Sequence, residues 1–296
     1  MLLNRYERLI FLGDSNADSG NVFAMTGYTH PSPGHVYMGG RYSNGKMWTE
    51  HLCDFAASEP VGLAHGCATI DNSIVSGTVP MPDGTRKEVP SVTDQVAQLY
   101  AQIGKLRTND LVFVFAGSND LNSLVDTGLT YITKQPFTPE LLASRLRKAV
   151  QDLCLVGGAR NVLVMNVRPR SDYPSILALH GPETIRLTRA VTAALNAAIS
   201  VEMAKLRDCL GTEYNIGVFD THAFQRRITQ DPAAVGIDPD VQTPSYGIVQ
   251  GEHDVRLVSP DTKLYLDGAH LAKRAQALLA AEVVKHIAIS LATEAK

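Results

Sequence analysis

Hydrophobic positions along this chain fall into two rhythms. Largely apolar runs of strand length span Leu9 to Leu12, Leu111 to Ala116, Asn161 to Val167 and Tyr214 to Phe219. The first two break off at Gly13-Asp14-Ser15 and Gly117-Ser118-Asn119-Asp120, as buried parallel strands do when they reach a loop at the carboxyl edge of a sheet. A shorter strand is expected over Val61 to Thr69, ending in a glycine turn. Between these runs apolar residues recur at helical spacing. Trp48, Leu52 and Phe55 mark a helix over Lys46 to about Ala57, and Val92, Val96, Leu99 and Ile103 mark the next. Further helices are predicted over Pro139 to Leu155, over Glu183 to Leu210 with Leu187, Val191, Leu195, Ala198 and Leu206 inward, and from about Leu271, with Ala275, Leu279, Val283, Ile287 and Leu291 inward. Strands alternating with such helices imply right-handed crossovers, a parallel sheet and a three-layer α/β/α sandwich. Stretches rich in Gly, Pro and polar residues near 22–45, 70–90 and 230–262 read as loop insertions within one domain over 1–296.

Composition narrows the class. A chain of 296 residues that is 45% hydrophobic can bury a substantial core, and a net charge of -3 leaves no basic excess for a nucleic-acid partner. The apolar carboxyl-terminal segment is interrupted by Glu282, Lys285 and His286, so no integral membrane segment is expected. Residues 1–8 carry no apolar signal core, and Cys53, Cys67, Cys154 and Cys209 lack metal or disulfide spacing. The expectation is free buried thiols in a cytoplasmic protein, although a secreted protein with its signal removed would read similarly. His30 and His35 have no companions for zinc, no dinucleotide fingerprint follows Gly13, and neither metal nor cofactor is expected.

The candidate chemistry lies at the strand exits. Ser15 leaves the first strand where catalytic groups usually sit, and a serine there needs a base and donors for an oxyanion. In Tyr265-Leu266-Asp267-Gly268-Ala269-His270-Leu271, Asp267 can accept from one ring nitrogen of His270 and leave the other to take the proton of Ser15. Each residue also has a structural reading: Ser15, Asp18 or Asp267 as a helix cap, Asn119 as a turn residue, His270 and His65 as packed histidines, Trp48 as core. Arg168 and Arg170, after the fourth strand, read as a solvated loop with salt bridges or as partners for a substrate anion. Tyr28, Tyr37, Met38 and Tyr246 either line an acyl pocket or pack the loops onto the body.

These blocks together resemble the GDSL or SGNH hydrolases. Gly13-Asp14-Ser15 with Asp18 and Gly20-Asn21 is similar to the family's first block, Gly66 or Cys67 falls at its second, Gly117-Ser118-Asn119-Asp120 resembles its third and Asp267-Gly268-Ala269-His270 its fifth. Gly40 to Gly45 with Trp48, and Pro90 to Val96, further resemble the lipase, acetylesterase and phospholipase-like branch. The resemblance implies a flavodoxin-like sheet, Ser15 as nucleophile, His270 as base and Asp267 as its orienter. It also implies an oxyanion hole from the Ser15 N–H, a backbone N–H of Gly66 or Cys67, and the Asn119 amide. Cys67 replaces a usual glycine, which leaves the donor intact provided Cys67 need not adopt positive φ. Asn16 and Leu271 also depart from the usual pattern, away from the reacting atoms.

The implied function is serine ester hydrolysis through an acyl-enzyme, on an acyl ester, lipid or acetylated sugar, by a chain taken as a monomer. An acyltransferase passing the acyl group to an alcohol or amine is the alternative, and a catalytically silent carbohydrate- or lipid-binding module a weaker one. Gly-x-Ser-x-Gly is absent, and Ser43-Asn44-Gly45-Lys46 has no Lys-Thr-Gly companion, which sets aside two unrelated serine-enzyme classes.

Overall fold

A computed structural model describes residues 2–32, 36–58, 60–125, 130–247, 256–257 and 261–294. Its centre is a parallel sheet of five strands: β1 (Arg8–Gly13), β2 (Pro60–Gly62), β5 (Asp110–Phe115), β7 (Asn161–Met165) and β8 (Asn215–Phe219), in the order β2-β1-β5-β7-β8. Numbered by their own succession these strands run 2-1-3-4-5, the flavodoxin-like order. Pairing is in step, with Gly13 opposite Phe115 and Phe115 opposite Met165. The loops after β1 and β5 therefore leave side by side where the strand order reverses, the place where open α/β sheets hold their ligands.

Both faces of the sheet are covered because both sets of alternating side chains are apolar. Ile10, Leu12, Val112, Val114, Val162 and Val164 face α3 (Val92–Ile103), α5 (Pro139–Leu155) and α7 (Pro182–Leu210). Leu9, Phe11, Phe113, Phe115 and Met165 face α2 (Trp48–Ala56), α8 (Thr221–Gln230) and α9 (Lys273–Glu294). On the second face Phe11 stacks on Phe113 at 5.1 Å, and Trp48 meets both rings edge-on. Helix starts follow their caps: Ser91 and Asp94 form a capping box on α3, and Thr138 caps α5 with Pro139 in its first turn. Shorter helices α1 (Asn21–Met25), α4 (Ser118–Asn122) and α6 (Pro174–Leu179) sit at the carboxyl edge of the sheet or beside it.

Several local expectations need correction. The stretch near 70–90 is not simply a polar loop: β3 (Val75–Pro80) pairs antiparallel with β4 (Arg86–Glu88) and with β6 (Tyr131–Thr133). Helix α8 was not anticipated, because Phe224 and Ile228 share its buried face with Thr221 and Gln225. Its start is fixed by Asp220, whose carboxylate accepts from the Ala223 N–H. Phe55 is exposed, since the buried stripe of α2 runs through Trp48, Thr49, Leu52, Cys53 and Ala56. Leu187 is exposed as well, its inward place on α7 taken by Thr188 and Thr192, whose hydroxyl donates to the Thr188 carbonyl. Of the cysteines, all free, Cys53 and Cys154 are buried, Cys67 is partly covered and Cys209 is exposed. Around 230–262 the described part holds a 3-10 turn (Ala233–Val235) and a two-residue hairpin of β9 (Tyr246–Gly247) with β10 (Arg256–Leu257). His35 and the side chain of Leu291 lie outside the described residues.

Candidate active site

The loop after β1 is held from several sides. Gly13 sits at φ 135°, and a Cβ there would lie 2.0 Å from the Phe115 carbonyl oxygen, so glycine lets the two strand ends meet. The buried Gln95 amide clasps its backbone, accepting from the Gly13 N–H at 2.7 Å and donating to the Gly13 carbonyl at 2.9 Å. Trp48, fully buried as a core residue, also donates its indole N–H to the Asn16 carbonyl at 2.7 Å. Asp14 accepts from the backbone and the amide of Asn16, closing the turn that presents Ser15.

Ser15, Asp267 and His270 converge. His270 Nε2 lies 2.9 Å from Ser15 Oγ, and His270 Nδ1 lies 2.7 Å from Asp267 Oδ2. Asp267 Oδ1 accepts from the backbone N–H groups of Ala269 and His270, and Oδ2 also accepts from the Tyr37 hydroxyl at 2.8 Å. Burial pushes the Asp267 carboxyl upward, but the charge and hydrogen bonds of His270 and the Ala269 N–H outweigh it and hold it well below the usual carboxylate range. The loop is tied down by Ser175, whose N–H and hydroxyl both donate to the Gly268 carbonyl, and by Arg168, which donates to the Ala269 carbonyl at 2.6 Å.

Amide donors come from the first block, the second block and the start of α4. The Gly66 N–H is taken by Asp18 Oδ2 at 2.8 Å, whereas the N–H groups of Ser15 and Cys67 meet no protein acceptor among the described residues. Gly66 is therefore committed to structure and Cys67 is the open donor. The proviso on Cys67 fails, since it sits at φ 65°. Such a conformation costs a non-glycine residue about 1–2 kcal/mol, and packing around it holds it there: Gly77 of β3 lies so close that a Cβ would come within 1.8 Å of the Cys67 carbonyl oxygen. Asn119 donates from Nδ2 to the Ala68 carbonyl at 2.8 Å and has a second amide proton left over. Its Oδ1 accepts from the Tyr131 hydroxyl at 2.7 Å and from Asn122 Nδ2 at 3.2 Å, which fixes the amide with nitrogen toward the second-block turn.

Burial shapes the remaining charges. Asp18, fully buried, caps α1 through the Gly20, Asn21 and Val22 N–H groups while binding Gly66, so it welds the first block to the second. Burial pushes Asp14 up to about 6 and Asp120, which accepts from the Ile70 N–H, up to about 7. Arg168 and Arg170 are not solvated, being 1% and 0% exposed. Arg168 donates to Gln225 and packs over the Tyr173 ring, while Arg170 donates to Asn122 Oδ1, so neutral acceptors replace the expected salt bridges. His65 bonds through Nδ1 to the Leu63 carbonyl, a packed loop histidine. Tyr28 and Met38 are largely exposed, whereas Tyr37 packs near Tyr42 and Tyr246. Among the described residues no group of three His, Cys, Asp or Glu side chains is placed to hold a metal, and no helix is long and apolar enough to cross a membrane.

A serine, a histidine and an aspartate thus stand in one hydrogen-bonded row beside the switch point of a doubly wound sheet. The chain belongs to the GDSL-like Lipase/Acylhydrolase family, whose model matches residues 9–283. It is 26% identical over 293 residues to the secreted effector protein SseJ of Salmonella typhimurium, covering 97% of this chain and 65% of that protein. It is 28% identical over 179 residues to the phosphatidylcholine-sterol acyltransferase of Aeromonas hydrophila, covering 57% of this chain and 47% of that one. The chain thus spans about half to two thirds of the length of these curated relatives. Among solved structures, a mutant acetyl-xylooligosaccharide esterase from Geobacillus Stearmophilus superposes with a TM-score of 0.54 at 14% identity, over 97% of this chain and 96% of the other. That likeness is one of fold.

Proposed function

We propose that the chain is a single catalytic domain that hydrolyses carboxylic esters through an acyl-enzyme on Ser15. The observation that carries this reading is the unbroken row Ser15 Oγ, His270 Nε2, His270 Nδ1 and Asp267 Oδ2, at 2.9 and 2.7 Å, together with N–H groups of Ser15 and Cys67 that meet no protein acceptor among the described residues. Ser15 Oγ attacks the ester carbonyl as His270 takes its proton. The oxyanion is met by the Ser15 and Cys67 N–H groups and the spare Asn119 proton. His270 then protonates the departing alkoxide, and in the second half removes a proton from water, which attacks the acyl carbon; the carboxylic acid leaves as the C–O bond to Ser15 breaks and His270 returns that proton to Ser15 Oγ. Asp267 stays ionised throughout and stabilises the imidazolium.

The similarity to a protein named an acyltransferase favours one second reading, in which an alcohol takes the place of water in the deacylation step. Two measurements test these proposals. Wild-type protein should release p-nitrophenol from short acyl esters and bind a fluorophosphonate covalently, and Ser15→Ala should lose both, with activity down by at least about 10³. Full activity in Ser15→Ala would overturn the assignment. Product analysis with and without an apolar alcohol separates the readings: a new ester marks transfer, and free acid alone marks hydrolysis.

A further inference from the structure

The Tyr37 hydroxyl lies outside the three residues that perform the proposed chemistry, yet it touches their carboxylate. An ionised carboxylate offers about four lone-pair sites, and at Asp267 four donors fill them: the Ala269 and His270 N–H groups on Oδ1, His270 Nδ1 and Tyr37 Oη on Oδ2. Tyr37 and His270 thus share one oxygen atom. A donor on that oxygen withdraws electron density from it, so the hydrogen bond it offers the imidazolium weakens while that of Tyr37 is in place.

Tyr37 is well placed for such a role. It is partly buried, and the phenol is held as a donor because burial, then the Asp267 charge and hydrogen bond, push its ionisation far above the ordinary range. Its segment is stitched to the site at a second point. Five residues on, Tyr42 is buried with its ring 4.9 Å from that of His270 and against Gly66, where a Cβ would come within 2.1 Å of the Tyr42 hydroxyl oxygen. The turn between them is closed by the Met38 N–H on the Ser43 carbonyl and by the ion pair of Arg41 with Glu50 on α2. One loop therefore reaches the carboxylate with Tyr37 and the imidazole with Tyr42.

We propose that Tyr37 is a positioning residue that sets the base strength of His270 through Asp267, and that docking of the 37–42 loop tunes the proton acceptor of the site. The inference rests on the catalytic reading of Ser15, Asp267 and His270 given above. Removing the hydroxyl leaves Asp267 Oδ2 to His270 alone, so the imidazolium is favoured and the histidine deprotonates at higher pH.

Other charges face the same ring. Asp14, pushed up to about 6 by burial, lies within electrostatic reach of His270; His30 also senses His270, and Arg168 holds the neighbouring Ala269 carbonyl. All of these remain in place when one phenolic oxygen is removed, so a comparison of Tyr37→Phe with wild type isolates the hydroxyl.

The test is the rate of fluorophosphonate labelling of Ser15, and kcat/KM on a p-nitrophenyl ester, between pH 4.5 and 9 for wild type and Tyr37→Phe. The expected result is an acid limb displaced upward by about 0.5–1 pH unit, with activity at the alkaline plateau kept within about tenfold, since only part of the hydrogen bond to Asp267 differs in strength between the two states of His270. A uniform loss at every pH with the limb unmoved would make Tyr37 a packing residue and overturn the proposal, as would a limb displaced downward. If wild-type protein were not labelled at Ser15 at any pH, the nucleophile assignment would fail first and this inference with it; labelling with an unmoved limb sinks this inference alone.

Discussion

Asn119→Ala probes the oxyanion site most directly, because the structure separates what the side chain does for the fold from what it offers a substrate. For the fold, Nδ2 satisfies the Ala68 carbonyl, and Oδ1 accepts from Tyr131 and Asn122. Truncation strands these partners, and a buried polar group left unpaired costs about 1–3 kcal/mol. Tyr131 and Asn122 are only partly buried, so water recovers some of that, and a stability loss of roughly 2–4 kcal/mol is expected. In the proposed reaction, the spare amide proton would meet an oxygen that is charged in the transition state but neutral in the bound ester. Its loss should fall on kcat by about 10² to 10³, with KM changed by less than about threefold. Tyr131→Phe removes one of two donors that fix the amide and should cost about 3–10-fold in kcat, near 1 kcal/mol. Steady-state kinetics on a soluble p-nitrophenyl ester, with urea unfolding of the same samples, measure both. A loss confined to KM, or an unchanged kcat in folded Asn119→Ala, would show that this amide does not meet the oxyanion.

Two further substitutions test the supports of the site. A carboxyl raised on folding binds a proton that the unfolded chain has already released, so Asp120, raised by burial to about 7, makes stability fall as pH climbs from about 4 toward 7. Asp120→Asn keeps an acceptor for the Ile70 N–H without the charge and should be more stable than wild type at pH 8 by roughly 2–4 kcal/mol, the difference vanishing by about pH 4; urea midpoints across that range decide it, and equal pH slopes would refute it. Gly77→Ala would drive a methyl into the Cys67 carbonyl, displacing the Cys67 peptide at an expected cost of about 1–3 kcal/mol and at least tenfold in kcat. Undiminished kcat in a destabilised Gly77→Ala would remove Cys67 from the oxyanion site.

What was legible in the sequence is what depends on neighbours along the chain. The runs at Leu9, Leu111 and Asn161 became β1, β5 and β7 because a strand buried on both faces must be apolar at every position. Helices α3, α5 and α7 carry long periodic stripes with caps at their starts. Ser15, Asp267 and His270 were legible as candidates for the same reason: each lies in a short block at the end of an element, and topology brought the blocks together at 2.9 and 2.7 Å. Strand β3 hid because Ser76, Gly77 and Thr78 interrupt its apolar positions, although all three are buried.

The rest depends on partners that no local pattern announces. Gly66 and Cys67 are adjacent, and only the fold shows that Asp18, 48 positions before Gly66, takes the Gly66 N–H. Tyr37 stands 230 positions from Asp267 in a stretch that reads only as an aromatic loop. Arg168 and Arg170 flank a proline after a strand, and charge so placed reads as solvent-facing; in the fold they are paid in neutral acceptors, Gln225, Asn122 and the Ala269 carbonyl. Buried cations held by neutral groups keep their charge free to act at a distance. Burial raises Asp14 to about 6, while the Asn16 hydrogen bonds, Arg168 and His270 pull it back down. The electrostatic setting of Ser15 is therefore a balance among Asp14 after β1, Arg168 after β7 and His270 in the loop before α9, and it exists only once the fold has brought those three loops together.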